Sequence, residues 1–213
     1  MVATDRSTRY HYESPEFTRV VNLSDAVFAI ALTLLVLTLE VPRVPAGELA
    51  GALADQRPQM VAFALAFLLV ANVWWQHHRL IATLEYLDPG MIAINIAALA
   101  GVALVPFPTN LVGFAPREQV AVLSFIGLFI VLSVLWVCMI LRAHALDLWQ
   151  RPMTAETYRW LLADWMASIS VAVTAFVVAI WAPTAGLVLI ALASVAVGVV
   201  MGQVGPPERK AWF

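Results

Sequence analysis

Residues 19–42 read RVVNLSDAVFAIALTLLVLTLEVP, an apolar run that begins with an arginine, an asparagine, a serine and an aspartate. Between Ala26 and Leu39 only Thr33 and Thr38 carry polar side chains. At a rise of about 1.5 Å per residue, residues 20–41 reach roughly 33 Å as a helix, enough to cross a bilayer core. Asp25 then lies more than a turn inside the segment. An ionised carboxylate at membrane depth costs about 2.5–3.5 kcal/mol near the bilayer centre and less toward the interface. Asp25 is therefore expected to face protein or water and to have a partner.

The remainder of the chain repeats this apolar character. Of its 213 residues, 62% are hydrophobic and 12% charged, and the mean hydropathy is +0.86. Such values exclude an ordinary soluble domain and indicate an all-α, polytopic membrane protein. The single cysteine, Cys138, lies in an apolar run and rules out a disulfide framework. Residues 1–17 contain no apolar stretch of signal-peptide type and are expected to form a short polar tail. The arginines are scattered singly, which argues against a nucleic-acid partner.

Hydropathy and turn residues place six spans, at about 18–41, 59–81, 91–112, 119–141, 160–181 and 186–204, in a single transmembrane domain. Pro42, Pro45 and Gly47 open a polar connection that runs to Pro58, and Asp88, Pro89 and Gly90 form the next turn. Pro106 and Pro108 are expected to disrupt the third span near its far end. Six spans put both termini on one side. Arg6, Arg9, Arg19, Arg79, Arg142, Arg151, Arg159, Arg209 and Lys210 fall on that side, against Arg43, Arg57 and Arg117 on the other. The excess of basic residues places both termini in the cytoplasm.

On a helix turning about 100° per residue, Arg19, Leu23, Ala26, Ile30, Leu34 and Leu37 share a face with Thr33 on its flank, while Asp25 points to roughly the opposite side. Such a stripe is read either as packing or as a pore lining. Arg19, Ser24, Asp25, Trp74, Trp75, His77, His78 and Asn95 lie at one membrane level and are expected to form a polar cluster across the first three helices. That cluster is either a structural clamp or an ion-binding or proton-relay site. His77 and His78 are adjacent, diverge by about 100°, and do not converge easily on one metal ion. The chain contains no HExxH, GxSxG or phosphate-loop motif, so the sequence gives no reason to expect an enzyme.

Arg19, Leu23, Ser24 and Asp25, followed by AVFAIALTLLVL, resemble the R-x-x-x-F-S-D signature and first helix of the transmembrane protein 175 family, the lysosomal potassium channels and their bacterial six-helix relatives. VWWQHHRL, Asn95 and LVPFPTNL are similar to that family and occur in the same order. The resemblance covers the first half of the chain; helices four to six match in number and hydropathy only, and Leu23 stands where phenylalanine is usual. It implies a potassium-selective channel without a TVGYG carbonyl filter, assembled as a homotetramer in a prokaryotic plasma membrane. Its pore would be lined by the first helix, with Ile30 as the apolar constriction, Thr33 as a hydroxyl layer, and Leu34 and Leu37 as deeper rings. The resemblance implies no cofactor beyond permeant potassium. A proton-coupled secondary transporter using Asp25 and the histidines is the alternative, and a non-conducting membrane scaffold a third reading.

Overall fold

The computed structural model describes residues 9–45 and 47–204. Arg6, Arg209 and Lys210, used in the charge count above, lie outside the described residues. Eight helices and one two-stranded ribbon make up the described chain: β1 (Tyr10–His11), α1 (Pro15–Leu34), α2 (Leu49–Asp55), α3 (Arg57–Ala82), β2 (Tyr86–Leu87), α4 (Pro89–Leu104), α5 (Pro106–Phe114), α6 (Gln119–Ala145), α7 (Ala155–Trp181) and α8 (Pro183–Val204). Six helical stretches are long and apolar enough to span a bilayer, with α4 and α5 together forming the third.

Several boundaries differ from the sequence expectation, each for a local reason. Helix α1 starts early because Ser14 accepts a hydrogen bond from the Phe17 N–H and Pro15 occupies the first turn, where a missing N–H costs nothing. It is not α-helical to residue 41: residues Leu35–Thr38 tighten into a 3-10 turn and Leu39 is extended. The connection to Pro58 is not simply a loop, since its LAGALAD run forms the exposed helix α2. Helix α7 begins at Ala155 and not near 160, with the Thr154 hydroxyl accepting from the Thr157 N–H. Pro106 interrupts the third span as expected: Val105 ends α4 and begins α5, because proline supplies no N–H to the preceding turn.

The first half of the bundle packs α1 against α3 and α4, with α5 against α3 and the 3-10 turn. Helix α6 joins the halves through α4 and α5 on one side and α7 and α8 on the other. At the end of the bundle where α1 begins, three segments are stitched together. Tyr10–His11 pairs antiparallel with Tyr86–Leu87, and Leu84 bridges to Trp149. The N-terminal stretch from residue 9 is thus partly ordered on the bundle, against the expectation of a plain polar tail.

Candidate functional site

Helix α1 divides into two faces. Phe17, Ser24, Phe28 and Ala31 are buried, and Leu35 and Thr38 continue that seam through the 3-10 turn. The spacing of four, three, four and three from Ser24 onward is the repeat of a helix packed along one side. The opposite face is uncovered. Ile30 is 57% exposed, Leu34 41% and Leu37 71%. In a 3-10 turn residues three apart eclipse, so Leu37 stays on the same side of the helix as Leu34. Thr33 is also exposed, and its hydroxyl donates to the carbonyls of Ala29 (3.1 Å) and Ile30 (2.9 Å). With its proton turned toward its own helix, the oxygen presents lone pairs outward. Thr38 donates to Leu35 (2.7 Å) but is buried.

The buried face carries the polar cluster. Ser24 Oγ donates to the Val20 carbonyl (2.9 Å) and accepts from Asn95 Nδ2 (3.0 Å), and Asn95 Oδ1 lies 2.8 Å from His77 Nε2. A carbonyl oxygen only accepts, so His77 donates from Nε2 and its tautomer is set. All three side chains are buried, and the chain of bonds ties α1, α4 and α3 together. His77 also packs against Phe28 (ring centroids 5.5 Å apart) and edge-on to Trp136 (5.6 Å), which in turn stacks on Trp165 (6.1 Å). An aromatic column thereby runs from the first helix into α6 and α7.

Not all the expected members join. Asp25, half-buried, accepts from Trp74 Nε1 at 3.0 Å and has no ion pair among the described residues. Arg19 is a correction to the cluster: it is exposed on the opposite face of α1 and has no polar partner among the described residues. Trp75 is 51% exposed and not hydrogen-bonded; it and Trp74 flank His78, whose ring stacks on both. A cavity of about 190 Å³, lined by Tyr12, Ser24, Asp25, His77, His78 and Gln150, opens beside the network. Among the described residues no group of three or more His, Cys, Asp or Glu is placed to hold a metal ion.

Sequence reasoning did not single out Phe28 or Trp136, whose roles depend on which helices meet. It also missed a clamp at the α3–α4 turn. Asp88 caps α4 by accepting from the N–H groups of Gly90 (3.1 Å) and Met91 (3.2 Å), and it receives two bonds from the Arg142 guanidinium on α6, one of 2.9 Å. Burial raises the Asp88 pKa, but Arg142 and the two N–H groups outweigh it and hold the carboxyl below its ordinary value.

A polytopic helical membrane protein whose first helix packs on one face and leaves an apolar, threonine-bearing face uncovered is the class these features define. Residues 19–106 match the family described as endosomal/lysosomal potassium channel TMEM175. The chain is 37% identical over 102 residues to a protein of Streptomyces collinus named as a potassium channel, covering 47% of this chain and 50% of that one. It is 33% identical over 130 residues to a protein of Chamaesiphon minutus, also named as a potassium channel, covering 58% and 64%. To the rat protein named endosomal/lysosomal proton channel TMEM175 it is 32% identical over 113 residues, 47% of this chain and 23% of that one. The matches thus span from 23% to 64% of these relatives' lengths. The crystal structure of a lysosomal potassium-selective channel TMEM175 homolog from Chamaesiphon minutus shares the fold, with a TM-score of 0.76 over 88% of this chain and 99% of that one at 22% identity. The match to the TMEM175 family thus lies in the first three spans, and the fold of the whole bundle is shared with that homolog.

Proposed function

We propose that the chain is one subunit of a homotetrameric, potassium-selective cation channel whose pore is lined by α1. The observation that carries this reading is the uncovered face of α1, where Ile30, Leu34 and Leu37 stand exposed beside Thr33 while the opposite face is packed. Four copies arranged about an axis would bring Ile30 into a ring that demands partial dehydration of a passing ion, with no carbonyl filter. Potassium sheds water more readily than sodium, and outward-facing Thr33 oxygens would replace part of the lost shell. The relatives named as potassium channels support the same reading. Both termini would lie in the cytoplasm, as the basic residues imply, and the membrane would be a prokaryotic plasma membrane, as the likeness to bacterial relatives suggests.

A second reading, proton-coupled transport, draws on the cavity that reaches Asp25 and His77. Recording purified protein in planar bilayers while potassium is replaced by sodium separates the two. Unitary currents with a reversal potential favouring potassium are expected, and Ile30→Asn should raise conductance while lowering the preference. A purified wild-type oligomer that moves cations only at transporter rates, without unitary steps, would overturn the channel assignment.

A further inference from the structure

A cavity of about 340 Å³, away from α1, lies between α3, α6, α7 and α8. Its walls change character in the same direction on α3 and α7. On α3, Leu69 at mid-helix is followed by Asn72 and Gln76, then by Arg79 at the end of the span. On α7, Ala172 gives way to Ser168 and then Asp164; on α8, Ile190 gives way to Ser194, beyond which Val197, Gly198 and Met201 keep that wall apolar. Asn72, Gln76 and Arg79 follow the helical spacing that puts side chains on one face, and Arg79 lies about 10 Å along the axis from Asn72. The cavity therefore runs from apolar, through amide and hydroxyl, to charged, from the middle of the bundle toward the end where α1 begins.

Arg79 and Asp164 already have interactions. The side-chain amides of Asn72 and Gln76 have no hydrogen-bond partner among the described residues. Polar groups at membrane depth need partners, and these two are presented to a space large enough for a ligand. A water-filled crevice requires no apolar end, whereas a membrane lipid has this gradient built in: acyl chains, ester carbonyls and glycerol, then a phosphodiester at the interface.

We propose that this cavity binds the glycerol backbone and headgroup of a glycerophospholipid from the leaflet at the C-terminal end of α3. The Asn72 and Gln76 amides donate to ester and phosphodiester oxygens, Arg79 supplies positive charge at the phosphate level, and the acyl chains lie toward Leu69 and Ile190. Trp75 and Trp160 border the charged end, where amphipathic rings favour the interface.

Gly198 provides the test, because a Cβ added there meets nothing within 4 Å. Gly198→Leu projects a side chain into open space at the cavity wall and removes a glycine from a helix interior. The full chain, purified in mild detergent with added palmitoyl-oleoyl phosphatidylglycerol or phosphatidylcholine, is analysed by native mass spectrometry. One retained lipid per chain is expected in the wild type, with apparent affinity falling about tenfold or more in Gly198→Leu and in the Asn72→Leu/Gln76→Leu double variant. If either variant fails to assemble, the other decides. Equal retention in the wild type and an assembled variant, or no retained lipid in the wild type, overturns the proposal. So does displacement by excess glycerol 3-phosphate, which would make the ligand a soluble phosphate ester. The measurement involves no current, so its outcome is independent of whether the chain conducts.

Discussion

Thr33, in the last turn of α1, and Thr38, at the end of the 3-10 turn that follows, lie five residues apart, yet their hydroxyls occupy different surroundings. Both donate back to their own helix, but Thr33 is exposed on the Ile30 face and Thr38 is buried against the bundle. Thr33→Val keeps the shape and removes the outward oxygen, so in bi-ionic recordings it should lower the preference for potassium without altering assembly. Thr38→Val removes only an intrahelical bond, costs less than about 1.5 kcal/mol, and should leave reversal potentials unchanged. Equal silence of both would move selectivity to the apolar rings alone. Asn95 is a different kind of residue, since its amide serves Ser24 and His77 together. Asn95→Leu orphans polar groups on two helices at about 1–3 kcal/mol each, and a fall in melting temperature in detergent checks it. Asp25→Asn retains an oxygen for Trp74, so the fold should survive and any change in current reports the lost charge. Ser24, His77 and Asn95 were legible as a group because they are polar residues at one membrane level. Arg19 shares that level but points the other way, and level alone carries no information about which neighbour a face meets.

The α3–α4 turn illustrates what spacing could not reveal. Asp88 reads locally as a helix cap, and it is one, but its second role depends on Arg142, 54 positions later. Gly90 allows that meeting, because a Cβ at this position would overlap the Arg142 guanidinium. Gly90→Ala should therefore lower thermal stability, and it should cost much less in an Arg142→Met background, where no guanidinium is displaced. The clamp also has a pH signature. The Asp88 pKa is lower folded than its ordinary 3.8, so its stabilisation is full above that value and is lost as pH falls through the folded pKa. Melting temperature should thus drop more steeply below about pH 4 in the wild type than in Asp88→Asn. The span lengths were readable because bilayer thickness demands about 20 apolar residues whatever the sequence. The 3-10 end of α1, helix α2 and the β1–β2 ribbon were not, since short elements are set by contacts with distant segments.

Burial within one chain does not distinguish an aqueous pore from lipid, and the two readings of the α1 face separate only in the assembled molecule. Ile30 is 57% exposed and Leu192 on α8 is 68% exposed, so an isolated subunit offers both faces equally. In a tetramer built around α1, Ile30 faces water and ions while Leu192 faces acyl chains. Four chains of 23.3 kDa should give a native mass of about 93 kDa, four times the single-chain value. Within that assembly a cysteine reports its solvent, because a charged methanethiosulfonate reagent reacts with thiolate and a thiol in hydrocarbon does not ionise. With Cys138 replaced by alanine, Ile30→Cys should be modified from the aqueous phase, and the bound charge should block current. Leu192→Cys should stay unreactive under the same conditions. Protection of Ile30→Cys and rapid labelling of Leu192→Cys in an active tetramer would place the pore at the other side of the bundle, and the uncovered face of α1 would then be packing surface between subunits or against lipid.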